Sequence, residues 1–119
     1  MGAIMNSDNL GYNSKYGVIS HVLMALDENV VTDDDYRLIK KYSINSNDGF
    51  DKFCAVLLKP WFEEFPRSKK ELFVKRTAEA IVDSEKNIEK IFSGIEFVFD
   101  EEIEDKREFL KNLRLYLSI

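Results

Sequence analysis

Apolar residues recur along this chain at helical rather than alternating intervals. Val18, Ile19, Val22, Leu23 and Leu26 fall on one face at i, i+3, i+4 spacing, which predicts a first helix over residues 15–26. Asp27-Glu28-Asn29 ends it. Thr32 followed by Asp33, Asp34 and Asp35 has the form of a capping box, with the hydroxyl free to accept a backbone N–H and three carboxylates placed to complement the helix dipole. A second helix is expected to about Tyr42, burying Tyr36, Ile39 and Tyr42. Asn45-Ser46-Asn47-Asp48-Gly49 reads as a turn, with Asn47 or Asp48 capping a third helix. The apolar face of that helix is Phe50, Phe53, Cys54 and Leu57. Pro60 interrupts or restarts it, because proline has no N–H to donate but suits a first turn. Trp61, Phe62 and Phe65 make the densest apolar cluster in the chain, and Pro66 closes the segment.

Ser68-Lys69-Lys70-Glu71 resembles a second capping box and opens the longest periodic stretch. Leu72, Phe73, Thr77, Ala80, Ile81, Ser84, Ile88, Ile91 and Phe92 follow helical spacing. Unbroken to Ser93, this would be one helix roughly 36 Å long; Ser84 could instead cap a new one, so one helix or two stays open. Gly94 is the natural stop. Residues 95–99 (Ile-Glu-Phe-Val-Phe) have strand character but no second strand to pair with, so an extended packed linker is expected. Asp100 is expected to cap a final helix to about Leu117, with Ile103, Leu110, Leu113 and Leu117 facing in. The pattern thus predicts an all-α, single-domain bundle of five or six helices over residues 15–119. A loose arm rich in Asn, Ser and Gly, residues 1–14, precedes it.

Composition narrows the picture. A chain of 119 residues makes one domain, and 45% hydrophobic content with nine Phe and five Tyr supplies a core without staples. The single cysteine cannot form an internal disulfide, which fits a reducing compartment. No basic start with a long apolar run occurs at the N-terminus, and no stretch approaches the ~20 apolar residues of a membrane span. A cytoplasmic protein with no membrane association is therefore expected.

The formal charge of −5 is unevenly spread, being −3 over residues 1–50, +1 over 51–92 and −3 over 93–119. This sign argues against a nucleic-acid partner, since phosphate binding needs an excess of Lys and Arg. If the acidic flanks meet in space, they form one negative surface suited to a basic partner.

Candidates for chemistry are few. His21 is the one histidine, and no Glu-x-x-His accompanies it, so neither a metal pair nor a general base with an orienting partner can be assembled around it. Cys54 lies among Phe50, Phe53 and Leu57, surroundings that suppress rather than promote a thiolate. Asp48-Gly49 superficially suggests a calcium loop, but aligning Gly49 to the required glycine puts Ile44 and Ala55 at positions that need acids. Lys69, Lys70, Lys75 and Arg76 are interleaved with Glu71 and Glu79, as on a solvated helix face. Trp61, Phe62 and Phe65 read as core before they read as an exposed anchor. No catalytic residue, metal or cofactor is expected. An enzyme acting through paired carboxylates would need them to face each other across a cleft, whereas these acids gather at helix starts.

What capping does not explain is three consecutive aspartates, nor five acids in six residues from Asp100 to Asp105. Asp33, Asp34, Asp35, Glu101, Glu102, Glu104 and Asp105 are accordingly the candidate partner-binding residues. In size, charge and paucity of catalytic groups, the chain resembles the immunity proteins of bacterial toxin systems, of the contact-dependent inhibition and nuclease-bacteriocin types. The resemblance implies a non-catalytic inhibitor, a monomer or weak dimer, that neutralises a cognate toxin, a nuclease, by covering its basic active site with an acidic surface. The alternative is a structural or regulatory helical subunit that binds a partner helix, or self-associates, along the seam of residues 68–93.

Overall fold

The helices begin where short polar side chains can catch free backbone N–H groups, and the computed structural model, which describes residues 15–118, shows four such caps. The arm expected over residues 1–14 lies outside the described residues. Thr32 Oγ1 accepts from Asp35 N at 3.1 Å, Ser46 Oγ from Gly49 N at 2.9 Å, Ser84 Oγ from Asn87 N at 3.2 Å, and Asp105 Oδ1 from Glu108 N at 3.0 Å. Each bond satisfies one of the donors that a helix start leaves open.

Six helices result. Helix α1 spans Gly17–Leu23 and tightens into a 3-10 turn at Met24–Leu26, and α2 spans Asp33–Ile39. Helix α3, residues 47–63, is one unbroken run of three stretches: Asn47–Phe53, a π-helical turn at Cys54–Leu58, and Lys59–Glu63. Helices α4 (Arg67–Ile81), α5 (Glu85–Phe92) and α6 (Lys106–Leu117) complete the bundle. The chain is all-α, as its periodicity requires. Among the described residues the sole β pairing is an isolated antiparallel bridge between Asp27 and Phe97. Residues 95–99 are thus the packed linker expected, held to the end of α1 by Val98 N donating to Leu26 O and Glu28 N to Glu96 O.

Several expected boundaries move, each for a local reason. The long pattern over 68–93 is two helices, because Ser84 caps α5 and Val82-Asp83 form an elbow. Helix α4 starts at Arg67, so Ser68 sits inside the first turn and is not a cap. Helix α3 is capped by Ser46, one residue before the expected Asn47 or Asp48. Helix α6 is capped by Asp105, not Asp100, which leaves residues 100–104 as an irregular loop. Helix α5 ends at Phe92, before Gly94, with no glycine in a left-handed conformation among the described residues. On α2 only Ile39 is buried, while Tyr36 is 43% exposed.

The core joins α1, α4, α5 and α6, with the π turn of α3 packed against the 3-10 turn and α2. Ile19, Leu23, Leu26, Phe53, Leu58, Phe73, Leu110 and Leu113 are fully buried, each stabilising the fold by about 1.5–3 kcal/mol relative to exposure. Trp61, Phe62 and Phe65 belong chiefly to this body. Phe62 is buried against Phe73, and the half-buried Trp61 donates its indole N–H to His21 O at 2.9 Å. Two arginines of α6 reach back to α4. Arg107 donates to the carbonyls of Ile81 and Asp83 at the elbow, and Arg114 to Val74 O. No buried side-chain nitrogen or oxygen among the described residues lacks a hydrogen-bond partner.

Candidate functional site

The geometry of the site begins with two loops tied side by side. Glu101 Oε1 accepts from Ile44 N at 2.8 Å, Asn45 Nδ2 donates to Glu102 O at 2.8 Å, and Glu104 N donates to Asn45 Oδ1 at 3.0 Å. Ile44 and Ile103 lie buried beneath these bonds. The ties draw the α2–α3 loop and the start of α3 against the α5–α6 loop and the face of α6. Between them opens a groove of about 490 Å³, within the range of small ligand sites.

Its floor is apolar and aromatic. Phe50 meets Phe109 edge to face at 5.4 Å between ring centroids and Tyr116 at 6.4 Å, and Leu115 on the wall is 61% exposed. Its charged lining is entirely acidic: Asp51, Glu104, Asp105 and Glu108. These four are not equivalent. Asp105 caps α6, and Glu108 lies 3.6 Å from Lys111 Nζ. Asp51 and Glu104 have no ion-pair or side-chain hydrogen-bond partner among the described residues. The cations that flank Glu104 are engaged elsewhere, Lys106 with Glu89 at 3.2 Å and Arg107 with the elbow carbonyls. Burial raises the Tyr116 phenol above its ordinary range, with Cys54 and the Asp51 carboxylate pushing the same way, so it remains a neutral donor at the groove. The arrangement can hold a cation beside apolar surface.

The residues expected to bind a partner do not all line this groove. Glu104 and Asp105 line the groove. Glu101 points into the loop junction, and Glu102 contributes its carbonyl there while its side chain is exposed. Asp33, Asp34 and Asp35 stand on the first turn of α2, away from the groove lining, with Asp34 paired to Arg37 at 2.6 Å. Asp51, Glu108 and Tyr116 escaped the sequence reading, which placed Phe50 only on the apolar face of its helix. A usable signal was present in α6, where Glu108, Asn112 and Leu115 share a stripe at i, i+4, i+7 and Leu115 is apolar outside the core face.

The other candidates are placed plainly. His21 is exposed, its ring centroid 4.9 Å from that of Phe65, and Lys69 Nζ bonds to its Nδ1. Partial burial and then the Lys69 charge lower its pKa, which favours the neutral ring. Cys54 is buried and its thiol is pushed up to about 12, first by burial and then by Asp51. Asp48 and Gly49 form the first turn of α3. Among the described residues no three His, Cys, Asp or Glu side chains gather to hold a metal ion. No helix among them is long and apolar enough to cross a membrane. Compared with protein-family models, with curated proteins and with solved structures, the chain matches none.

Proposed function

We propose that this protein is a non-catalytic, protein-binding inhibitor that uses an acidic surface to cover a basic site on its partner, as the immunity proteins of bacterial toxin systems do. The observation that carries the reading is the groove between α3 and α6, whose charged lining is wholly acidic and whose Asp51 and Glu104 carboxylates have no ion-pair partner among the described residues. Free carboxylates on an apolar floor favour a partner that brings both positive charge and hydrophobic surface, the pairing that gives fast encounter and a lasting complex. A toxin that acts on nucleic acid carries such a basic surface. The alternative, a structural or regulatory subunit that binds a partner helix or self-associates along residues 68–93, would have two shorter helix faces to offer, since the elbow at Val82-Asp83 divides that stretch.

Affinity capture from an extract of the source organism, at low and moderate salt, tests the reading. We expect one basic polypeptide at equal stoichiometry, less of it at the higher salt, and loss of its activity, nuclease cleavage included, when the chain is added. Recovery of no basic partner, or of one whose activity is unchanged by the chain, would reject the inhibitor role.

A further inference from the structure

We propose that the groove between α3 and α6 is a docking site for an arginine-bearing extended segment of the partner polypeptide. This rests on the protein-binding reading and adds what the groove recognises. Three features select that occupant. Asp51, on the first turns of α3, and Glu104, on the α5–α6 loop, both line the groove, so a cation seated in it has carboxylates from two separate elements in the same lining. The same lining is aromatic, with Phe50, Phe109 and Tyr116, and a planar guanidinium stacks on such rings while donating in a fork to carboxylates, which a lysine ammonium cannot do. Finally, Asn47 and Asn112 line the same groove with side-chain amides that make no hydrogen bond among the described residues. An amide offers both a donor and an acceptor, as the main chain of an extended peptide requires. A small free cation would have no use for them. Leu115, exposed at the wall, would be covered by the apolar neighbour of the arginine.

The test is a titration of the 15N-labelled full chain with the blocked peptide Ala-Leu-Arg-Leu-Ala, followed by NMR. Shifts are expected to concentrate at Asp51, Glu104, Asn112 and Leu115. Citrulline in place of arginine, which keeps the shape and removes the charge, should weaken binding by about tenfold. The double variant Asp51→Asn/Glu104→Gln should weaken it comparably, with an unchanged circular dichroism spectrum, since neither side chain holds the fold together. Shifts scattered over the surface, equal binding of the citrulline peptide, or equal occupation of the groove by spermine would each overturn the assignment. If the peptide fails while the captured partner complex still forms, only the groove assignment falls. If no partner is captured, the inhibitor role falls whatever the peptide does.

Discussion

Asp33, Asp34 and Asp35 stand on the first turn of α2, where one backbone N–H is capped by Thr32 and the carboxylates meet solvent or Arg37. Asp100 to Asp105 are equally dense in acid but run through a loop, and the loop uses them one by one. Glu101 fastens Ile44, Asp105 starts α6, and Glu104 lines the groove with no side-chain partner among the described residues. In sequence the two clusters look alike. The difference teaches that acid density says little about function until each carboxylate's backbone donors are known. A carboxylate already bonded to N–H groups is part of the fold, and one left free beside apolar surface can serve a ligand.

The largest effect should come from breaking the junction on which the second cluster depends. Gly49 is buried, and a Cβ there would lie 1.6 Å from the Ser43 carbonyl oxygen, which is backbone and cannot swing aside. Gly49→Ala should therefore cost about 3 kcal/mol in urea unfolding. A loss under about 1 kcal/mol would mean that the α2–α3 loop is less tightly held than its contacts indicate.

A sharper contrast sets single against triple change. Glu101→Ala strands the buried Ile44 N–H and should destabilise by about 1–3 kcal/mol. Replacing Asp33, Asp34 and Asp35 together with Asn should shift stability by about 0.5 kcal/mol or less, because these side chains are largely solvated and their mutual repulsion is relieved. Equal losses in the two proteins would erase the distinction between the clusters.

A third acid belongs with the structural group and is read through pH. Asp83, at the elbow between α4 and α5, accepts from the buried Tyr16 hydroxyl at 2.5 Å. That bond first, then bonds from Asn87 and Ser84 N, pull its carboxyl down to about 2, while burial and Asp83 raise the Tyr16 phenol to about 12. A carboxyl lowered on folding stabilises above its unfolded value and loses that contribution as pH falls from about 4 toward 2. The phenol, raised on folding, stabilises below about 10 and loses its share as pH climbs to about 12. Tyr16→Phe should flatten the acid limb of the urea-midpoint profile between pH 4 and 2. An unchanged limb would show that the Tyr16–Asp83 bond does not govern acid stability.

Much of the fold was legible because core positions keep helical periodicity. Ile19, Leu23, Phe53, Phe73, Leu110 and Leu113 all follow from it. The caps at Thr32 and Ser84 were legible too, as the residue types whose side chains compete for backbone N–H groups. Ser68 misled because the residue type alone cannot tell whether Pro66 has already fixed the helix entry two positions earlier. Asp100 misled because five acids within six residues offer several equivalent caps, and the choice of Asp105 depends on Glu101 being held by Ile44 across the loop junction. The groove was mostly hidden for the same reason. Asp51 and Glu104 are 53 positions apart, and only the pairing of two distant loops makes them neighbours.

The π turn within α3 has a consequence for how one helix addresses two neighbours. Lys59 N bonds to Cys54 O, five residues back, just where the Pro60 ring would otherwise press on a carbonyl four back. A turn that takes in one extra residue resets the rotational phase of everything beyond it by about 100°. Without that reset, Phe62 would project about half a turn away from Phe53. With it, Phe50 and Phe53 engage Phe109 and Phe99 while Phe62 still reaches Phe73 on α4. A single continuous rod is thus geared to mesh with two surfaces set at different angles, and no connecting loop is needed to change direction between them.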